Sequence, residues 1–225
     1  MRRRFLKSKD VPNNRIYYLT SDMQKITVRL NPSIGETTSD YGFGSPMVSN
    51  EFDGEKFIIT CLSNITQIGC YSFNSTNLIN IQIPNSVISI ESYAFSDCSN
   101  LTSIQIPDSV TSIGGGAFRN CSKLTSVEIP NNIVSIEHSA FQSCTSLTDV
   151  VIGNSVTSIG ENAFYDCSSL SSVYIKATTP PTLGNEVFYM NASGRKIYVP
   201  RASLDAYKTA NRWSNYASAI MPYDY

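Results

Sequence analysis

Histidine is almost absent from this chain: among 225 residues there is one, His138. That removes the commonest metal ligand and the usual base of a catalytic triad. Charge is scarce as well. Asp, Glu, Lys and Arg make up 16%, below the usual quarter, and 17 basic residues balance 18 acidic ones to a net charge of −1. No global field draws in a polyanion, so specific nucleic-acid binding is not expected. No apolar run approaches the roughly 18 residues of a membrane span. Gly114-Gly115-Gly116 has neither the lysine nor the strand-to-helix setting of a phosphate-cradling loop. Serine, threonine and asparagine fill the polar share. The 41% hydrophobic content suffices for a core and excludes global disorder.

Residues 1–10 hold five basic residues around Phe5 and Leu6. An export signal needs an apolar stretch after its positive residues, so none is expected here. The stretch reads as a solvated, frayed terminus.

What is abundant is internal repetition, with a period of 23 residues. Leucine recurs at Leu78, Leu101, Leu124, Leu147 and Leu170. Ile81, Ile104, Val127, Val150 and Val173 follow three residues on, then Ile83, Ile106, Ile129, Ile152 and Ile175. Pro84, Pro107 and Pro130 come next, with Gly153 in the fourth slot. Val87, Val110, Ile133 and Val156 lead to Ile90, Ile113, Ile136 and Ile159. Each unit closes on Ala-Phe, as at Ala94-Phe95, Ala117-Phe118, Ala140-Phe141 and Ala163-Phe164.

One unit can be read physically. Ile104 and Ile106 alternate in the two-residue period of a strand, which Pro107 ends because it cannot donate to a ladder. Val110 to Ile113 is a second short strand. Gly114 is expected to take an unusual backbone angle. Ala117 and Phe118 anchor a short helical turn, with Phe118 as the bulky core plug. A single unit cannot bury its apolar side, but stacked units make a continuous core at strand spacing, ~4.8 Å.

The string Cys-Ser-x-Leu-Thr-Ser-Val-x-Ile-Pro-Asn-Ser-Val-Thr-Ser-Ile-Gly-x-x-Ala-Phe resembles the BspA-type bacterial leucine-rich repeat, from about Ile65 to Ile175. The resemblance implies an α/β repeat: a right-handed leucine-rich-repeat solenoid with a parallel sheet, a strand-rich N-terminal cap and a C-terminal helical cap. It also implies a cell-surface or extracellular adhesion protein. Its partners would be protein or glycan surfaces of a host or of neighbouring bacteria. The leader Pro-Asn-Asn-x-Ile-Tyr-Tyr is similar to those of Bacteroides proteins and their phages. A virion structural or receptor-binding role, with other virion proteins as partners, is therefore the alternative.

The expected division is 1–61 as N-terminal cap, 62–177 as repeats and 178–225 as an irregular last coil and cap. Strands are expected at Ile16 to Tyr18, Lys25 to Leu30 and Val48 to Thr60, with a hairpin turn at Asp53-Gly54. Val187-Phe188 takes the Ala-Phe slot 24 residues after Phe164, and Ile197 to Pro200 repeats the strand-then-proline ending. Ser203 reads as a helix N-cap, and Trp213 with Tyr216 as the closure of the apolar end.

Candidate chemistry is thin. Cys98, Cys121, Cys144 and Cys167 share one repeat position, with Ser75 near that slot in the first repeat. A single file is the wrong shape for tetrahedral zinc, so buried free thiols are expected. His138 stands where neighbouring coils carry Gly115 and Asn162 and reads as an exposed substitution. Glu137 and Glu161 lie on neighbouring coils, but a glycosidase pair needs a cleft. No catalytic residue, cofactor or metal is assigned. The candidate contact face consists of outward strand positions. Gln82, Gln105, Glu128, Val151 and Tyr174 form one column, and Asn80, Ser103, Ser126, Asp149 and Ser172 the column before it.

Overall fold

The computed structural model describes residues 12–13, 15–25, 43, 47–61 and 63–224. The expected strand from Lys25 to Leu30 and the basic first ten residues lie outside the described residues, apart from Lys25 itself.

The chain opens with β1 (Arg15–Thr20), β2 (Met47–Phe52) and β3 (Phe57–Cys61). β2 and β3 form the hairpin read at Asp53-Gly54. Gly54 takes φ +98°, and Asp53 Oδ1 accepts from the Glu55 and Lys56 N–H groups at 2.9 Å. β1 pairs antiparallel with β3 on one side and with β5 (Leu78–Gln82) on the other, which joins this hairpin layer to the repeats.

The repeats contribute two parallel sheets. Two-residue strands β4 (Gln67–Ile68), β6 (Ser89–Ile90), β7 (Ser112–Ile113), β9 (Ser135–Ile136), β11 (Ser158–Ile159) and β13 (Thr182–Leu183) form one, in coil order. The other contains longer strands: β8 (Ser126–Ile129), β10 (Asp149–Ile152), β12 (Ser172–Ile175), β14 (Lys196–Pro200) and β15 (Ile220–Tyr223). Coil after coil, the same apolar positions turn inward. Leu124, Ile129, Ile133, Ile136, Ala140 and Phe141 are all essentially inaccessible.

The Ala-Phe segment is not a helix. It is a run of tight turns, each bonded to the next coil as well as to itself. Phe118 N–H donates to Ala140 O and Phe141 N–H to Ala163 O, both at 2.8 Å. Two corners of every such segment take the left-handed conformation. Tyr71, Tyr93, Gly116, Ser139, Asn162 and Glu186 form one column, and Ser75, Asp97, Asn120, Ser143, Asp166 and Met190 the other. Outside glycine this conformation costs roughly 1–2 kcal/mol per residue. The hydrogen bonds between coils offset that cost, as where Asn120 N–H reaches Gln142 O at 2.8 Å.

These corners correct the reading of Gly114. Gly116, not Gly114, carries the positive φ, +62°. Gly114 is small because coils approach closely there. A Cβ would lie 2.5 Å from Ser92 N and 2.7 Å from the Glu91 carbonyl carbon. Gly160 is held the same way, 2.6 Å from His138 N and 2.8 Å from the Glu137 carbonyl carbon.

The phenylalanine rings stack along the whole axis. Centroids from Phe73 through Phe95, Phe118 and Phe141 to Phe164 are 5.1–5.3 Å apart, with planes within 8° of parallel. Phe43 packs on the first ring at 6.0 Å, and Phe188 on the last at 5.7 Å. Beyond Phe188 come Trp213 and Tyr216, 6.2 and 5.7 Å away, in the expected closing role. Helix α1 (Leu204–Thr209) follows a 3-10 turn at Arg201–Ser203. Ser203 stands at its N-cap, but its side chain makes no cap bond.

Phe118→Ala removes one rung of the stack and should cost about 3–5 kcal/mol in a urea titration. Gly160→Ala places a methyl against main chain that cannot yield and should lower stability by about 1–3 kcal/mol. An unchanged midpoint for Gly160→Ala would show that the coils have room to separate.

Candidate binding face

The long-strand sheet positions its outward side chains by strict register. Glu128 lies beside Val151, Val151 beside Tyr174, Tyr174 beside Tyr198 and Tyr198 beside Met221. The preceding column runs Ser126, Asp149, Ser172, Lys196. The inward neighbours Val127, Val150 and Val173 are buried, so alternation leaves the other two columns on the face.

Along the column the chemistry changes. Lys176 Nζ lies 3.1 Å from Glu128 Oε1, two coils away, an exposed pair worth little by itself. Tyr174 and Tyr198 stack with centroids 4.7 Å apart, and Tyr223 meets both edge-on at 5.4 and 6.2 Å. The result is an aromatic patch at the C-terminal end and a charged pair toward the centre.

Of the residues expected on this face, Ser126, Glu128, Asp149, Val151, Ser172 and Tyr174 fall on one sheet. Gln82 does not. It belongs to β5, opposite Tyr17 in the antiparallel pairing, and is only 7% exposed. Asn80 Nδ2 donates to Ser103 Oγ at 3.1 Å. Ser103 and Gln105 lie in residues 103–106, which form no strand. A groove of about 610 Å³ runs beside that segment, lined by Ser103, Gln105, Asp108, Ser126, Glu128 and Asn131 among others. Sequence reasoning missed Tyr198, although it sits 24 residues after Tyr174. Tyr223 carried no signal, because β15 lies outside the repeat pattern.

The cysteine column is buried as expected, and all six cysteines are free thiols. Each thiol in the column also donates. Cys98, Cys121, Cys144 and Cys167 reach Phe73 O, Phe95 O, Phe118 O and Phe141 O of the preceding coil at 3.0–3.2 Å. Asn191 Nδ2 and then Arg195 Nη1 continue the series to Phe164 O and Phe188 O, both at 2.8 Å. At the other end the first repeat is one residue shorter, so Thr76 rather than Ser75 takes the slot. Its Oγ1 lies 3.5 Å from Cys98 Sγ, and Ser75 sits on a left-handed corner.

Burial pushes the Cys61 and Cys98 thiols up to about 11, and those of Cys121 and Cys144 well above their ordinary value. Such thiols stay protonated and do not attack. His138 is exposed, as expected, and its ring lies over Gly115. Its counterpart in the next coil is Glu161; Asn162 belongs to the adjoining left-handed column. Glu137 accepts from Ser135 Oγ at 2.7 Å. Among the described residues no group of three or more His, Cys, Asp or Glu side chains is placed to hold a metal ion. None of the helices among them is long and apolar enough to cross a membrane.

The model of the BspA type leucine rich repeat region matches residues 66–200 in six copies. The leucine-rich repeat protein of T. pallidum is 27% identical, with 81% of each chain covered and a TM-score of 0.52. The pneumococcal vaccine antigen PcpA is 19% identical over 70% of this chain and 42% of its own, with a TM-score of 0.49. A leucine-rich repeat protein from Bacteroides capillosus is 23% identical over 76% of this chain and 99% of its own, with a TM-score of 0.34. No curated protein matches the chain.

At pH 8 a maleimide should label the native protein at no more than one site, the half-buried Cys70, whose thiol is itself raised by burial and by the charge of Glu91. All six thiols should label once guanidinium unfolds the chain. Three or more labels in the native state would show that the column is open.

Proposed function

The chain belongs to the BspA-type leucine-rich repeat family, and from that premise we propose that it is a non-enzymatic binding module. It recognises a protein or glycan surface through the long-strand sheet. The family's proteins are typically binding proteins associated with surfaces, and adhesion to a host or to neighbouring bacteria is the finer reading. The division into a cap at 1–61, repeats at 62–177 and an end unit at 178–225 belongs to the same proposal.

A contrast between columns carries this reading. Leu124, Leu147 and Leu170 are identical and buried. The outward column beside them passes from Glu128 through Val151 to Tyr174, Tyr198 and Met221 in strict register. Packing dictates the first set and leaves the second free to suit a partner. Aromatic side chains give large contact area at small entropic cost, so the cluster of Tyr174, Tyr198 and Tyr223 supports a contact at Tyr174 with its neighbours Val151, Asp149 and Ser172.

Fluorescent full-length protein should bind saturably to intact bacteria or to matrix-coated wells. Val151→Arg combined with Tyr174→Ala should weaken that binding at least tenfold at an unchanged melting temperature. Undiminished binding by the double variant would remove this face from the proposal.

A further inference from the structure

Among the described residues, three pairs of tyrosines stack between neighbouring coils. Ring centroids are 5.2 Å apart for Tyr71 and Tyr93, 5.8 Å for Tyr165 and Tyr189, and 4.7 Å for Tyr174 and Tyr198. The third pair is the tightest, with planes 12° from parallel. It is also the pair carried by hydrogen-bonded strands, since β12 and β14 pair in parallel with Tyr174 beside Tyr198. In-register parallel rungs start both side chains side by side and on the same face.

Phenols differ from the phenylalanines of the buried stack in one respect: a one-electron oxidant can take an electron and a proton from them. Two phenoxyl radicals held side by side couple with each other instead of waiting for a diffusing partner. Tyr174 and Tyr198 are half-buried on the sheet face, so an oxidant reaches them and their rings can change rotamer to bring ring carbons together. Tyr18 and Tyr207 are inaccessible, with hydroxyls spent on Asn50 Oδ1 and Ala177 O. The other two stacks suit coupling less. Cε1 of Tyr93, one of its two carbons ortho to the hydroxyl, packs against Gly116, where a Cβ would lie 2.4 Å from it. Tyr165 and Tyr189 are farther apart and tilted by 26°. Five of the six thiols are buried and offer an oxidant little.

We propose that Tyr174 and Tyr198 form a site of oxidative modification, joined as dityrosine by a one-electron oxidant such as a peroxidase with hydrogen peroxide. Each phenol gives up one electron and its hydroxyl proton. The two radicals then form one carbon–carbon bond between positions ortho to the oxygens. Each coupled carbon releases its hydrogen as a proton, and each oxygen regains one, which restores both aromatic rings. The protein loses two hydrogens in total, and one hydrogen peroxide is reduced to two waters. The product fastens β12 to β14 by a bond that thiol reductants do not open. No partner is needed, so failure of the cross-link and failure of the binding-module reading are separate results.

The test is oxidation of full-length protein by a haem peroxidase with limiting hydrogen peroxide, read by dityrosine fluorescence and mass spectrometry. Dityrosine should form in a product of monomer size, two hydrogens lighter than the starting chain. Its yield per chain should be unchanged by tenfold dilution of the protein, and fragmentation should join Tyr174 to Tyr198. Tyr198→Phe keeps a stacking ring without a phenol and should reduce the yield at least tenfold at an unchanged melting temperature. Tyr93→Phe, Tyr189→Phe and Tyr223→Phe should leave it within twofold. A yield that falls on dilution, a dimeric product, a cross-link mapped to another pair, full yield from Tyr198→Phe, or an absence of dityrosine would overturn the proposal.

Discussion

The constraint on which the rest depends is the repeated contact of one phenylalanine with the next coil. Its ring stacks at 5.1–5.3 Å through the regular repeats, and its carbonyl accepts the thiol of the following coil. Ring stacking alone would tolerate sliding. The thiol bond and the Phe N–H bond to the following Ala carbonyl fix the axial register. Both parallel sheets then inherit their alignment, because every strand in them except β15 starts a fixed number of residues from that anchor. The same geometry explains why cysteine suits the slot. It is small, largely apolar and still a weak donor.

A periodic structure must end, and each end leaves main-chain groups without the neighbour that would have met them. At the C-terminal end side chains take over. Trp213 Nε1 donates to Pro181 O at 2.6 Å, Arg212 Nη1 to Leu183 O at 3.0 Å and Tyr207 Oη to Ala177 O at 2.8 Å. Arg195 serves Phe188 O while its guanidinium lies 5.4 and 5.2 Å from the Phe188 and Tyr216 rings. At the N-terminal end the same need is met by main chain, through β1 on β5. On the open edge of β15 stands Pro222. Ile197 N–H bonds to Ala219 O, which by alternation turns residue 222 outward, and a proline there offers no donor to another strand.

The solenoid and its core were legible because burial imposes the same residue at the same offset, and a period of 23 repeats often enough to be seen. The outward columns read from the sequence fall on one sheet only from Ser126 onward, although the period of 23 already runs from Leu78. One error came from a departure from the period and the others from neighbours that the period does not record. The 22-residue first unit moved the thiol slot from Ser75 to Thr76. The pairing of β1 with β5 buried Gln82, and no local feature of residues 78–82 announces a partner so far back in the chain. The gap at 103–106 left no mark at all. Ile104 and Ile106 alternate as faithfully as Val127 and Ile129, and whether a strand joins a ladder depends on its neighbours' positions rather than on its own residues. Gly114 was misread for a related reason. Glycine serves both left-handed angles and close approach, and only the geometry separates the two.

The left-handed corners set a further condition on this chain. Twelve of them line one edge in two files, five exposed and six half-buried, and none is valine, isoleucine or threonine. Branching at Cβ is the feature that conformation tolerates least. Exposure is ordinarily taken as licence to vary, but here it is not. Codon changes along this edge are filtered by backbone geometry. From coil to coil the edge passes among glycine, serine, asparagine, aspartate and other side chains unbranched at Cβ, and keeps its shape while its chemistry changes.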